Sequence, residues 1–119
     1  MTTQQIADRL VELCKAGKFE DAQKELYDDN ALSIEPLPMP GMDKETKGLQ
    51  AIINKGHHFM SMVEETHGIR VSDPVVAPHS FCINLVMDIT MKGRDRMDMS
   101  ELCVYDIKDG KIVTESFHY

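Results

Sequence analysis

The chain has 119 residues, of which 42% are hydrophobic and 28% are charged, and its formal net charge is −7. This composition is typical of a globular protein with one hydrophobic core, so we expect a single domain over residues 1–119. The acidic excess and the scattered Lys and Arg argue against nucleic acid or an anionic membrane as partner. No basic start followed by an apolar run and no stretch of about 18 apolar residues is present, which favours a cytoplasmic location.

In the N-terminal part, two helices are predicted from their caps and apolar stripes. Thr2 and Gln5 form a capping box for the first helix. Its apolar stripe includes Leu10, and Gly17 is expected to end it. A short second helix follows and closes at Tyr27. Both helices therefore precede any strand.

Residues 28–30 are predicted to form an acidic turn, and the strand after them carries Glu35 at its end, just before a proline. Strict alternation puts Glu35 on one face with two small residues, Ala31 and Ser33. Space beside a carboxylate allows its burial, and burial raises its pKa until it can act as a base near neutral pH. Without further context, the commoner case is a solvated carboxylate at a strand end.

The longest helix is predicted from residue 47 to about residue 65, with Gly68 as its stop. Gly56 and Met60 lie in its apolar stripe. Glycine there costs about 1 kcal/mol against alanine, and a close approach of the sheet or of a ligand would explain it. His57 lies at the edge of the stripe, where it could reach a pocket, although a structural role is the commoner use of such a histidine.

Strands are predicted for the remainder. A segment at residues 71–77 contains a proline and is interpreted as an edge strand or a bulge. The clearest period-2 pattern covers residues 81–91. Residues 108–111 are typical of a hairpin turn in which Gly110 takes a positive φ. Helices followed by an antiparallel sheet indicate the α+β class.

Glu101 interrupts an otherwise apolar face of the penultimate strand. A carboxylate among apolar neighbours must be paired, protonated or directed at a polar cavity. If that face is instead the convex one, Glu101 is solvated or lies at a dimer contact. Leu102 and Val104 are also apolar, so the pattern leaves both orientations open.

The cysteines and histidines show no metal or disulfide pattern. Cys14, Cys82 and Cys103 are an odd number at wide spacing, so buried free thiols are the favoured interpretation. Zinc ligation by Cys and His stays open, but no HxxxH or HExxH spacing supports it. Walker loops, GxGxxG fingerprints and nucleophile elbows are also missing from the sequence, and we expect neither a metal nor a cofactor.

The order of these motifs resembles the nuclear transport factor 2-like superfamily, especially its SnoaL-like (polyketide cyclase) and ketosteroid isomerase branches. The resemblance covers essentially the whole chain and is carried by the helix–Gly17–helix segment, Leu26-Tyr27-Asp28-Asp29, Glu35-Pro36 and residues 104–113. It implies a cone in which three helices pack into a strongly curved antiparallel sheet around a pocket. The loop from Pro36 to Met42 would cover the pocket mouth or be a plain connection.

Glu35 lies where ketosteroid isomerases carry their catalytic Asp before Pro, so the resemblance implies that Glu35 is a general base. The positions matching the family's oxyanion donors are Leu10 and, within one residue, Cys103, and neither donates a strong hydrogen bond. Steroid isomerisation by that route is therefore not expected. A cyclase-like reaction needs mainly one base and a shaped apolar cavity.

The predicted function is an apolar small-molecule pocket, with isomerase, cyclase or hydrolase-like proton transfer by Glu35. Glu101, His57 or His79 would orient the substrate, a flat or compact apolar molecule with one ionisable or carbonyl end. The predicted lining is Leu10, Met60, Phe81, Leu85, Met87, Met97, Met99 and Cys103, with Tyr105 and His118 as polar points. The alternative is a non-catalytic ligand-binding or protein-interaction module. A homodimer through the outer sheet face is also expected, because that face carries apolar residues and family members commonly pair in this way.

Overall fold

The fold was obtained as a computed structural model that describes residues 1–38 and 41–119. The helices are α1 (Thr3–Lys15), α2 (Phe19–Leu26) and α3 (Leu49–Ser61). The strands are β1 (Tyr27–Ile34), β2 (Glu45–Lys47), β3 (Val63–Val71), β4 (Val75–Val76), β5 (Ser80–Met91), β6 (Arg96–Lys108) and β7 (Lys111–His118). None of the helices in the described ranges is long and apolar enough to cross a membrane. The predicted loop over the pocket mouth includes Met39 and Pro40, which lie outside the described residues.

The seven strands form one curved sheet in the order β2-β1-β7-β6-β5-β3, and β4 pairs with β5. The predicted α+β class with three helices is confirmed. The sheet is mixed and not purely antiparallel, because β1 runs parallel to β7 while every other pairing is antiparallel. No hairpin links β1 to β7, which are separated by most of the chain, so the connection does not force them to be antiparallel.

The predicted start of α1 is confirmed. The Thr2 hydroxyl accepts from the backbone N–H of Gln5, and the Gln5 side chain accepts from the backbone N–H of Thr2. Gly17 follows the helix end with a φ of +72°. The buried faces of the helices and the concave face of the sheet together form one core. Two of the three cysteines, Cys14 and Cys103, are buried free thiols, whereas Cys82 is half-buried.

Two predicted boundaries are wrong. Residues 28–30 belong to β1, with a register irregularity between Tyr27 and Leu32, and do not form a separate turn. The helix α3 ends at Ser61 rather than near residue 65, and residues 63–71 form β3 and pair with β5. Helical periodicity continued past this point, but pairing of a β-branched segment with a long neighbouring strand outweighed it. The predicted edge strand at residues 71–77 reduces to β4.

Two features of the sheet agree with the sequence pattern. Buried and half-buried residues alternate along β5. The turn between β6 and β7 has positive φ at both Asp109 (52°) and Gly110 (74°), as expected for a two-residue hairpin. On β6, Cys103 and Tyr105 are buried, whereas Leu102 is 52% exposed. Glu101 shares the parity of Cys103 and therefore faces the concave side.

Candidate functional site

A group of hydrogen-bonded and charged side chains lies on the concave side of the sheet, and we refer to it as the polar cluster. Its members come from β1 and the residue after it, from α3, from β6, and from β7 and the residue after it. Its members are Tyr27, Ser33, Glu35, Lys55, Glu101, Glu115 and Tyr119. The cluster contains one cation and three carboxylates.

Glu35 is held at the end of β1. The two small residues on its face, Ala31 and Ser33, are fully buried, as the alternation predicted. One oxygen of Glu35 accepts from the Lys55 ammonium at 3.1 Å, and the other accepts from the Tyr119 hydroxyl at 3.3 Å. The side chains of Glu35 and Lys55 are each 13% exposed. Glu35 is therefore a largely buried, paired carboxylate and not a solvated one.

Lys55 enters the cluster from α3, and the sequence analysis missed it. Its Nζ donates to the Ser33 hydroxyl at 2.6 Å and lies 5.2 Å from the centre of the Phe117 ring. At 3.6 residues per turn, Lys55 lies about 60° around the helix from the buried Ile52. That places it on the core side of α3, next to the stripe. The sequence pattern that could have indicated Lys55 is its position directly beside the apolar stripe of α3.

Glu115 is the deepest carboxylate of the cluster and is only 3% exposed. The Ser33 hydroxyl donates to its Oε2 at 2.6 Å, and the Tyr27 hydroxyl donates to its Oε1. Burial raises the pKa of Glu115 above the ordinary range, while the two hydrogen bonds oppose that rise. These bonds satisfy a carboxylate that would otherwise be very costly inside the core.

A β-bulge explains why Glu115 was not recognised. In the register between β6 and β7, Ile107 pairs with Ile112, but the preceding residue of β6, Asp106, pairs with Thr114. Val113 is therefore an extra residue, and it reverses the side-chain alternation of β7. Ile112 and Glu115 are both buried although they are three residues apart. Simple alternation from Ile112 would have turned Glu115 outward.

Glu101 is a further carboxylate of the cluster whose pKa is raised by its surroundings. Burial raises its pKa to about 7, and the negative charges of Glu35 and Glu115 add to the rise. The Cys103 thiol donates a weak hydrogen bond to Glu101 at 3.8 Å and opposes the rise. Across the sheet, Glu101 is paired with Leu85. Close to neutral pH, Glu101 therefore exists in both its charged and its neutral form.

Several residues of the predicted lining lie on the same concave face as Glu101. Met99 pairs with Met87, and Met97 pairs with Ile89. Met97 and Met99 are half-buried and pack against the core. Three further lining residues, Leu10, Phe81 and Tyr105, are buried in the core itself, where the rings of Phe81 and Tyr105 stack with centroids 4.8 Å apart. Those three serve the packing beneath the site.

Four predicted site residues belong neither to the polar cluster nor to the core beside it. The His57 side chain is 67% exposed and bonds to Glu20 of α2, and Met60 is 45% exposed. Both lie off the core side of α3, which Phe59 occupies instead. His79 is exposed just before β5. His118 pairs with the exposed Leu102 and so lies on the convex face, because paired residues of neighbouring strands share a face.

Neither of two surface depressions of the protein corresponds to the predicted apolar pocket, which stays a prediction. The two depressions, of about 600 Å³ and about 380 Å³, are lined by residues outside the polar cluster. The larger one lies beside His79, the start of α1 and the β6–β7 hairpin. At Gly56, a Cβ atom would meet no atom within 4 Å. The predicted close approach of helix and sheet at this glycine is therefore wrong, and open space adjoins it.

The chain was compared with known families and structures. All of it, residues 1–119, matches the family model of the SnoaL-like domain. A protein from Mesorhizobium loti, named as a candidate SnoaL-like polyketide cyclase and as a carbohydrate phosphatase, is 31% identical, with a TM-score of 0.91 and coverage of 100% of both chains. No curated protein sequence matches this chain.

Two more distant structures share the fold alone. A hypothetical protein from Catenulispora acidiphila with a ketosteroid isomerase-like fold, in complex with trimethylamine, is 13% identical with a TM-score of 0.74, covering 99% of this chain and 87% of that one. A candidate isomerase from Bacillus subtilis is 17% identical with a TM-score of 0.71, covering 97% and 84%. The resemblance read from the motifs is confirmed by the family match over the whole length, and the chain belongs to the SnoaL-like domain family.

Proposed function

We propose that this chain is a cofactor-free catalyst that transfers a proton on an apolar small molecule with a carbonyl group, as an isomerase or a cyclase does. The observation that carries the proposal is Glu101, a carboxylic acid with a pKa of about 7 on the apolar concave face. A general base is most effective when its pKa lies near the working pH. Structures named as candidate cyclases and isomerases share the fold, which agrees with this class of reaction.

Glu101 suits the role of base better than Glu35, to which the family resemblance assigned it. Both carboxylate oxygens of Glu35 already accept hydrogen bonds, from Lys55 and from Tyr119. Among the described residues, the side-chain carboxylate of Glu101 accepts a hydrogen bond from the Cys103 thiol, a weak donor. The charge of Glu35 also raises the pKa of Glu101. In this proposal Glu35 raises the pKa of the base, Glu101, and accepts a hydrogen bond from Lys55.

The proposed reaction begins when the Glu101 carboxylate removes a proton from the carbon next to the carbonyl. The electron pair of the broken C–H bond moves into an enolate, and Glu101 becomes the neutral acid. In an isomerisation, Glu101 returns the same proton to another carbon. In a cyclisation, the enolate carbon bonds to a second carbonyl carbon of the same molecule. The π electrons of that carbonyl move to its oxygen, and Glu101 gives the proton to this oxygen.

Ligand discovery is the first step of the test. Small apolar ketones, phenols and fatty-acid-like compounds are screened by thermal shift at pH 7.5, with nucleotides as the comparison set. A ligand at a hundred times its Kd adds about 2.7 kcal/mol of stability, which is readily detected. Apolar carbonyl compounds are expected to stabilise the protein. Stabilisation by nucleotides alone would contradict an apolar site.

The catalytic step is tested by deuterium exchange, which needs no knowledge of the final product. A bound ketone is incubated in D2O, and loss of its α-hydrogen signal is followed by proton NMR. Wild type is expected to accelerate the exchange, and Glu101→Gln should reduce it at least about 100-fold, the lower range for a general base. Glu65→Gln, an exposed change on β3, is the matched control. Full exchange activity in Glu101→Gln would exclude Glu101 as the base.

A non-catalytic ligand-binding module is the second candidate. It is favoured by the hydrogen bonds that already pair the members of the polar cluster, because structural ion-pair networks also shift pKa values. In that case, a carbonyl compound raises the melting temperature, but the wild type and Glu101→Gln give the same exchange rate as buffer. The two experiments together therefore separate catalysis from binding.

A further inference from the structure

We propose that Lys55 donates a hydrogen bond to the carbonyl oxygen of the ligand, and that buried Glu115 positions Lys55 through the Ser33 hydroxyl. The identity of the ligand rests on the proposed function, whereas the positioning of Lys55 does not. The proposal adds two residues to the site, one that touches the ligand and one that acts through another side chain.

The first step is a count of donors. An ammonium group carries three N–H donors and no acceptor. Two of them have partners within the described part of the chain, Ser33 at 2.6 Å and Glu35 at 3.1 Å. The third is available to a ligand. Nζ also lies 5.2 Å from the centre of the Phe117 ring, so an apolar wall borders the charge.

The second step is the direction of the hydrogen bonds at Ser33. Its hydroxyl has one proton, which it donates to Glu115 Oε2 at 2.6 Å. The oxygen lone pairs are therefore free to accept from Lys55. Without Glu115, the hydroxyl proton would lose its acceptor, and only the ammonium itself would orient the lone pairs of Ser33 towards Lys55. Glu115 itself is fixed from its other oxygen by Tyr27.

The third step concerns the free-energy cost of burying Glu115. Glu115 is fully buried, and its raised pKa shows that the fold disfavours its charge. Buried ion networks are often no more stable than apolar side chains of the same volume. Stability alone therefore does not account for a glutamate at this position. A fixed ammonium beside the concave face does account for it, because a donor held in place in advance stabilises an enolate oxygen without reorganising.

The positioning is tested by NMR of ¹⁵N-lysine-labelled protein, in which ammonium protons are observed when their exchange with water is slow. In wild type, the Lys55 ammonium is expected to exchange at least about 10-fold more slowly than that of exposed Lys44, since its bonds must break first. Lys55→Arg assigns the signal. Exchange of Lys55 as fast as that of Lys44 in wild type would overturn the positioning, without any variant having to fold.

Two matched variants isolate the path through Ser33. Ser33→Ala and Tyr27→Phe each remove one hydroxyl from Glu115, but only Ser33 connects it to Lys55. Ser33→Ala should accelerate Lys55 exchange by about 10-fold, and Tyr27→Phe should leave it within about 2-fold of wild type. No acceleration in Ser33→Ala would show that Ser33 does not hold Lys55. Glu115→Gln keeps the Ser33 hydroxyl but places an amide that can donate to it, and it should also accelerate the exchange of Lys55. An unchanged exchange rate in Glu115→Gln would show that Glu115 does not position Lys55.

The donor role is tested with cyclohexanone labelled with ¹³C at the carbonyl. Wild type is expected to shift the bound carbonyl signal downfield, and Lys55→Met should abolish that shift and weaken binding at least about 10-fold. An unchanged shift in Lys55→Met would refute the donor role even if Glu101 proved to be the base. Failure of cyclohexanone to bind would also refute the ligand contact, while the exchange data on Lys55 would stand independently.

Discussion

Glu35 at the end of β1 and Lys55 on α3 form an ion pair 3.1 Å long, with both side chains only 13% exposed. A pair this deep influences its surroundings because little water screens it. Its nearest consequence is at Glu101, where the charge of Glu35 raises the pKa and the charge of Lys55 lowers it. A substitution of Glu35 is therefore expected to change the pKa of Glu101.

The first prediction concerns the titration of Glu101, followed by NMR of the ¹³C-labelled carboxylate. Its midpoint should lie near 7 in wild type, because the side chain is buried beside two other carboxylates. Glu35→Gln removes one of those charges and should lower the midpoint. Glu65→Gln, exposed on β3, should leave it in place. A wild-type midpoint near the 4.5 of an ordinary glutamate would contradict the prediction.

The second prediction follows from the same pKa by linkage. An acid whose pKa is raised in the folded state binds more protons there than in the unfolded state, so the contribution of Glu101 to wild-type stability falls as pH rises from 4.5 to about 7. Glu101→Gln lacks this loss. The variant should therefore gain stability relative to wild type across that interval, and the difference should stay constant above it.

The size of that gain has an upper limit. A rise from 4.5 to about 7, at 1.36 kcal/mol per pKa unit, corresponds to at most about 3 kcal/mol, and partial exposure reduces it. Urea unfolding of both proteins at pH 5 and pH 8 measures the difference. A stability difference between the two proteins that is the same at pH 5 and at pH 8 would show that Glu101 titrates normally.

The third prediction contrasts two glycines. Gly56→Ala should stabilise the fold by about 1 kcal/mol, because alanine is the better helix former and its Cβ meets no atom within 4 Å. Gly110→Ala should destabilise it by about 1 kcal/mol, since φ at Gly110 is +74°. Thermal and urea unfolding measure both. A loss of stability in Gly56→Ala would indicate that the space beside it is filled.

The fourth prediction is the homodimer through the convex face of the sheet. Leu102 is 52% exposed at the centre of that face, between Asn84 and His118. Light scattering at micromolar concentration should give twice the 13.5 kDa of the chain. Leu102→Lys should shift the mass towards the monomer, whereas Leu37→Lys, equally apolar and exposed but in a loop, should not. A monomer mass for wild type would contradict the proposal.

Local sequence signals predicted the elements that local physics determines. The capping box at Thr2, the alternation in β5 and the hairpin at Gly110 each depend on neighbouring residues alone, and each was confirmed. The end of α3 was wrong because pairing with β5 is a long-range interaction that periodicity does not contain.

The same distinction applies to the candidate site. The small residues beside Glu35 were visible in the alternation, and their burial was confirmed. Glu115 was hidden by a bulge that reversed the alternation of β7, and Lys55 by its position beside an apolar stripe. A bulge depends on register with two neighbouring strands, which the amino-acid order of one strand does not specify.

The parallel contact between β1 and β7 also has a consequence for folding. Ser33 and Glu115, which are bonded in the cluster, are 82 residues apart in the chain, and Tyr27 and Glu115 are 88 apart. Contacts at such separation form slowly, because a long loop must close first. During synthesis, Ser33 and Lys55 are made before Glu115, so their hydrogen-bond network cannot be complete until β7 has been synthesised. The interior of the cone is therefore completed last, and refolding rates should respond to Glu115 less than unfolding rates do.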